Sequence, residues 1–291
     1  MPYLAAAVSN ILFGLTTVAV RFVVIDTDNL GFAFVRYSIA TLLFFPFLFK
    51  IRNSKIPWSD WKHLLPLGVL QFGIFPITYT LSLSLTYASR GAIVFANIPL
   101  LTYLFAWFLK YDSISFPRLI GTILAFAGVA TALSVEVPIE NKAELWEGDA
   151  WMFLTVLMGA SYNVLSRPMM RRYPAMTTTS LYFLSGTIFL GLISIPTGHV
   201  EPIFLLSTGG WIALIFSGAV GGALSYYLFN YALEKSSPTQ VAIFVPLNPI
   251  VATLASALWL GEPITEWFIV GLISVLLGIW LVTNPRFQTP S

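Results

Sequence analysis

The stretch PLLTYLFAWFLKYDSISFPRLIGTILAFAG, residues 99–128, returns in outline as PIVATLASALWLGEPITEWFIVGLISVLLG, residues 249–278. A shift of 150 positions lays Pro99 on Pro249, Asp112 on Glu262, Ile114 on Ile264, Ser115 on Thr265, Gly121 on Gly271 and Gly128 on Gly278, without a gap. In the preceding span a shift of 148 lays Tyr79 on Tyr227 and Ser82 on Asn230. A two-residue insertion near Ser236 to Gln240 reconciles the two shifts. A shift of 145 lays Gly14 on Gly159 and Thr16 on Ser161. Self-similarity over so long a period marks a duplicated unit, and it governs how every other feature is read.

Composition gives the unit its medium. The chain has 291 residues, 57% of them hydrophobic and 10% charged, with a mean hydropathy of +0.82. An ordinary soluble domain carries roughly a quarter charged residues, so lipid must solvate most of this surface. A spanning helix needs about 20 apolar residues, and the short alternating segments of a barrel are absent. The expected spans are Tyr3 to Val20, Leu30 to Phe49, Leu64 to Leu85, Gly91 to Leu109 and Phe116 to Val135, then Gly148 to Ser166, Thr177 to Ile195, Gly210 to Leu233, Gln240 to Leu260 and Trp267 to Thr283. The expectation is an all-α integral membrane protein of ten transmembrane helices in two inverted five-helix repeats. The first repeat covers residues 1–137 and the second 148–284, with a polar connector at 138–147 and a cytoplasmic tail at 285–291. The first apolar stretch lacks a cationic signal-peptide flank and runs directly into further spans, so it reads as retained.

Charge sets the orientation. With the amino terminus inside, the inner loops and tail hold Lys50, Arg52, Lys55, Lys62, Lys110, Arg118, Arg167, Arg171, Arg172, Lys235 and Arg286, whereas the outer loops hold Arg21, Arg90 and Lys142. The positive-inside rule then puts both termini in the cytoplasm, of a cell (plasma or inner) membrane, and an even number of spans fits that. Trp58, Trp61, Trp146, Trp151, Trp211 and Trp267 stand near span ends, as an interfacial belt does. A five-span unit reverses direction on duplication. Inverted repeats are a recurring plan of secondary transporters, with the substrate held near the midplane between the repeats.

Several motifs carry a resemblance. Phe13-Gly14 with Arg21 opens the first span, Phe34-Val35-Arg36-Tyr37 lies in the second, and Gly148-Asp149 opens the second half. Leu260-Gly261-Glu262-Pro263-Ile264-Thr265 follows Pro249 and precedes Gly271 and Gly278. Together these resemble the drug/metabolite transporter superfamily in its ten-helix EamA-type branch, over nearly the whole chain. The chain departs from that pattern at Lys110-Tyr111-Asp112, where the first repeat would usually read Leu-Gly-Glu. The resemblance implies export or exchange of small organic metabolites, often amino acids.

Polar groups within spans are costly and mark candidate sites. Asn10, Tyr79, Asn97, Tyr103, Tyr162, Asn163, Tyr227, Asn230 and Asn248 are the expected substrate-binding residues, since amides and phenols hydrogen-bond a zwitterion while aromatic faces pack its apolar part. The same residues serve equally as interhelical hydrogen bonds; Tyr79 and Tyr227 stand out because the repeat makes them equivalent. Pro99 and Pro249 are expected hinges or kinks. Arg36 reads first as a structural cation snorkelling to headgroups, and second as a captor of a substrate carboxylate. All 13 acidic residues can be placed in loops or at span ends, which points to a facilitator or exchanger without carboxylate-based proton coupling.

The alternatives narrow the reading. The chain has no cysteine and no His-Glu-x-x-His motif, and no membrane-embedded histidine to activate a nucleophile, so an enzyme is not expected. No metal or cofactor is expected. A small-solute channel is a competing reading, since uncharged polar linings conduct. A carrier of phosphorylated metabolites or nucleotide sugars would want several deep basic residues, and the ninth and tenth spans have no Lys or Arg. Neutral or zwitterionic metabolites, amino acids first, therefore rank ahead. The expected partners are a small-molecule substrate and the bilayer, with no nucleic acid; a monomer would suffice.

Overall fold

The computed structural model describes residues 2–51, 56–109, 116–133, 142–235, 244 and 247–284, and every regular element among them is helical. The helices are α1 (Pro2–Val24), α2 (Asn29–Ile51), α3 (Trp58–Val69), α4 (Phe75–Leu85), α5 (Ala88–Phe95), α6 (Ile98–Phe108), α7 (Phe116–Leu133) and α8 (Lys142–Leu165). They continue as α9 (Arg167–Arg172), α10 (Ala175–Ser194), α11 (Thr208–Phe216), α12 (Ser225–Lys235), α13 (Leu247–Leu260) and α14 (Glu266–Thr283). Among the described residues, six helical stretches are long and apolar enough to cross a membrane: Pro2–Val24, Asn29–Phe47, Trp58–Leu85, Ala88–Phe108, Met176–Ser194 and Thr208–Ala232. Leu42, Phe108, Leu192 and Leu258 are among the large apolar side chains left exposed on the outside of the bundle. Such a surface is stable only against lipid.

Two of these stretches are interrupted at their centres. A π-helical segment, Leu70–Ile74, joins α3 to α4, and a second, Ser217–Leu224, joins α11 to α12. Pro76 follows the first segment and cannot donate to the carbonyl four residues back, so the wider turn accommodates a bond that the α-helix would lose. Between α5 and α6 the helix stops at Phe95 and restarts at Ile98. Pro99 therefore stands in the first turn of a new helix rather than within a continuous one. Pro249 occupies the first turn of α13, and residues 245–246 before it lie outside the described residues. The expected connector at 138–147 is corrected at its end: helix α8 already starts at Lys142, so Glu144 and Glu147 belong to its first turns. Carboxylates are stabilised at that end of a helix by the unpaired N–H groups and the dipole.

Packing repeats in pairs. Helix α1 lies against α12 and α13, and α8 lies against α4 and α6. Gly14 of α1 meets the backbone carbonyl of Asn248 at the start of α13, where an added Cβ would come within 2.7 Å. Gly159 of α8 meets Ile98 at the start of α6, with an added Cβ 3.1 Å from its Cδ1. Helices α7 and α14 share the most extensive contact of the molecule. There an added Cβ on Gly128 would lie 2.7 Å from the Gly271 carbonyl oxygen, and one on Gly278 would run into the Gly121 carbonyl. The two helices thus cross antiparallel through the glycines singled out by the sequence shift.

Candidate functional site

One end of the bundle is tied by buried ions. Glu262, in the loop between α13 and α14, accepts the backbone N–H groups of Ala88 and Ser89 at 2.9 and 3.1 Å and the Ser89 hydroxyl at 3.1 Å. It thereby caps helix α5, whose first N–H groups have no intrahelical partner. Gly261, at φ 65°, supplies the left-handed turn that ends α13 and aims this carboxylate. Arg21 of α1 stands 3.7 Å from Glu262 through Nε and donates from Nη1 to the Leu83 carbonyl at 2.6 Å. Asp149 pairs with Arg90 and accepts the Thr86 hydroxyl at 2.9 Å. Asp28 holds His199 at 2.7 Å. Between α4 and α5, burial and then the Glu262 charge push the Tyr87 phenol up from its ordinary pKa. Asp28 and Glu262 do sit in loops, whereas Asp149 stands seven residues into α8, buried in its pair with Arg90.

The opposite end has its own tie. Asp60 accepts Arg172 Nη1 at 2.9 Å and the Tyr173 hydroxyl, and that hydrogen bond pushes the Tyr173 phenol up. At this end a cavity of about 430 Å³ opens between α2, α10 and α12, lined by Phe47, Met176, Thr179, Tyr227, Asn230 and Glu234 among others. Asn230 donates to the Thr179 hydroxyl at its wall.

The interior holds a polar and aromatic cluster. Arg36 stands seven residues into α2, about 10 Å along its axis, and is buried at 4% exposure. Its Nε donates to the Ser217 carbonyl at 3.2 Å, at the start of the second π segment. The guanidinium carbon lies 5.3 Å from the Tyr37 ring centroid and 5.9 Å from that of Tyr79. Tyr79 donates its hydroxyl to Thr17 of α1 at 2.9 Å. Gln71, in the first π segment, donates to the Tyr226 hydroxyl at 3.2 Å. Phe72 bridges Tyr37, Tyr162, Tyr182 and Tyr226 through ring contacts of 5.1 to 6.4 Å. Four buried polar atoms here have no partner: Arg36 Nη1, Gln71 Oε1, Tyr162 Oη and Tyr182 Oη.

The expected site residues scatter around this cluster. Tyr79 and Tyr162 belong to it. Tyr227 does not: it is 41% exposed, lies tilted against the Tyr231 ring at 6.3 Å and lines the cavity. Helix α12 packs on α1 and α10, and Tyr226 and Asn230, four residues apart, share one side of it, against Phe72 and Thr179. Asn163 donates to Thr102 at 3.3 Å, linking α8 to α6 near the buried Tyr103. Asn10 turns back to the Ala6 carbonyl at 2.9 Å. Asn97 donates to the carbonyls of Ile93 and Val94 at 3.2 and 3.1 Å, at the break between α5 and α6. The side-chain oxygens of Asn97 and Asn248 are buried without a partner. The snorkelling expectation for Arg36 is overturned, because its head is turned into the bundle and no lipid headgroup can reach it. Gln71, a polar candidate of its span from the sequence, belongs to the cluster, and Tyr226 and Tyr37 complete it without having been expected as binding residues. The four-residue spacing of Tyr226 and Asn230 was the available signal.

Comparison with known proteins agrees with this architecture. The EamA-like transporter family matches residues 1–134 and, separately, residues 146–284. An uncharacterized transporter of Archaeoglobus fulgidus is 27% identical over 98% of this chain and 99% of its own length. The uncharacterized transporter YcxC of Bacillus subtilis is 23% identical, over 95% of this chain and 91% of the relative. A solved crystal structure is similar in fold, with a TM-score of 0.69 at 16% identity over 96% of this chain and 95% of that one. The chain therefore belongs to the EamA-like transporter family, within the drug/metabolite transporter superfamily, and is a multi-pass membrane transporter.

Proposed function

We propose that the protein carries small neutral or zwitterionic metabolites, amino acids first, as an exporter, facilitator or exchanger working by alternating access. In this reading ten spans form two inverted halves, in a cell (plasma or inner) membrane, with both termini cytoplasmic. The separate family matches to the two halves, the paired π segments and the reciprocal glycine contacts of α7 with α14 support the inversion. Two antiparallel copies of one unit contact each other isologously, as a two-fold pair does.

The observation that carries the mechanism is an asymmetry between equivalent contacts. Helix α1 closes on α4 and α5 at the Arg21–Glu262 end, through the Arg21 to Leu83 and Tyr79 to Thr17 bonds. The equivalent pair at the other end is α8 with α12. Among the described residues these two have no comparable contact, and the cavity opens at that end instead. A molecule of two pseudo-equivalent halves, closed at one end and open at the other, has a mirror state of comparable energy. Interconversion of the two moves a bound solute across. Closure at the Arg21–Glu262 end supports the carrier reading over the channel. The substrate site of this reading comprises Tyr79, Tyr162 and Asn230, with Asn10, Asn97, Tyr103, Asn163, Tyr227 and Asn248 around the pathway, and with Pro99 and Pro249 as hinges.

The test is counterflow in proteoliposomes with an amino-acid panel. A carrier gives saturable, trans-stimulated flux that Tyr79→Ala lowers. Linear, unsaturable flux contradicts the reading.

A further inference from the structure

Among the described residues the charge of Arg36, inside the bundle, meets no countercharge. Its Nε donates to the Ser217 carbonyl, and its Nη1 is buried without a partner. A guanidinium is not deprotonated in proteins, and a charge held within a spanning helix without a partner is expensive. The other described cations with buried partners, Arg21, Arg90 and Arg172, face carboxylates. The described groups around Arg36 are neutral: the Tyr37 and Tyr79 rings lie beside it, and Thr17, Gln71 and Tyr226 extend the cluster through hydrogen bonds. The cost of such an arrangement is met when an anion arrives from outside the chain.

Resting on the carrier reading above, we propose that Arg36 is the anion subsite of the substrate pathway and that the cargo carries a carboxylate. The guanidinium donates to the carboxylate oxygens through Nη1, the planar two-oxygen match that arginine makes best. The unpaired Gln71 Oε1 and the Tyr162 and Tyr182 hydroxyls nearby suit the remainder of a small polar solute. One cation matches one carboxylate; a phosphate dianion would leave a net charge in the bundle. Bound cargo also neutralises Arg36, so the loaded carrier reorients more readily than the empty one, and exchange outruns net flux.

The experiment is counterflow with proteoliposomes, using the twenty amino acids, their decarboxylated amines and their deaminated acids as probes. The wild-type protein is expected to move amino acids and deaminated acids and to leave the amines behind. Arg36→Gln is expected to lower carboxylate counterflow roughly 10- to 100-fold, with Arg36→Lys retaining part of it and both variants monodisperse in detergent. Amines moved as fast as their parent amino acids, or an Arg36→Gln protein as active as wild type, overturn the anion subsite and leave the carrier intact. Failure of the wild type to move any probe overturns both. Should Arg36→Gln not fold, the wild-type comparison of acids with amines decides by itself.

Discussion

At the scale of single residues, the ions that close one end of the bundle have the largest individual effects. Glu262 accepts two backbone N–H groups and a hydroxyl, and stands 3.7 Å from the Arg21 guanidinium. Glu262→Ala leaves those three donors without their acceptor and Arg21 without its carboxylate, and a loss of about 3 kcal/mol of stability is expected, measured by thermal or denaturant unfolding in detergent. Glu262→Gln keeps an acceptor for the helix end and is expected to cost less than half as much. The sequence made Glu262 legible as part of a motif but not as a cap, because its partners lie more than 170 positions away. Arg36 was misread for a related reason. Position near a span end fixes depth but not direction, and lipid-facing and bundle-facing residues are equally apolar here. Periodicity therefore does not separate the two sides as it does in a water-soluble helix.

At the scale of elements, the π segments and the glycine crossing matter most. The second π segment, Ser217–Leu224, precedes Tyr226 and Asn230. Deleting Val220 would restore α-helical winding and turn the following helix by about 100°, taking both side chains off the inner face. Such a variant is expected to fold and to lose counterflow; retained flux would show that the segment has no part in transport. At the α7–α14 crossing, Gly128→Leu drives a side chain into the Gly271 backbone. It is expected to cost about 3 kcal/mol or more, beyond ordinary core overpacking, in the same unfolding assay. Helix positions were readable to within a few residues, since α2, α10 and α14 begin and end close to their expected spans. Winding was not, because a π turn changes the hydrogen-bond register and leaves composition untouched. The small helix α9 and the 3₁₀ turn Glu201–Leu205 escaped for the same reason: both are short and built of ordinary loop residues.

At the scale of the whole molecule, the self-similarity of the two halves was the most legible feature, because Pro99–Gly128 and Pro249–Gly278 keep their order without a gap and the family matches each half separately. Which end is open was not legible, since on the carrier reading proposed above one sequence serves two conformations. The repeat supplies a matched pair of reporters. Ser82 and Asn230 occupy equivalent positions; Ser82 is fully buried toward the closed end, while Asn230 lines the cavity. The chain contains no cysteine, so Ser82→Cys and Asn230→Cys can each be labelled alone with an impermeant maleimide, from either side of the membrane, with and without transported substrate. Alternating access predicts opposite responses, with the Asn230→Cys site reached from the Lys235 side and the Ser82→Cys site from the other. Substrate should raise labelling at one as it lowers labelling at the other. Labelling of both sites from one side, or changes that rise and fall together, would contradict the account.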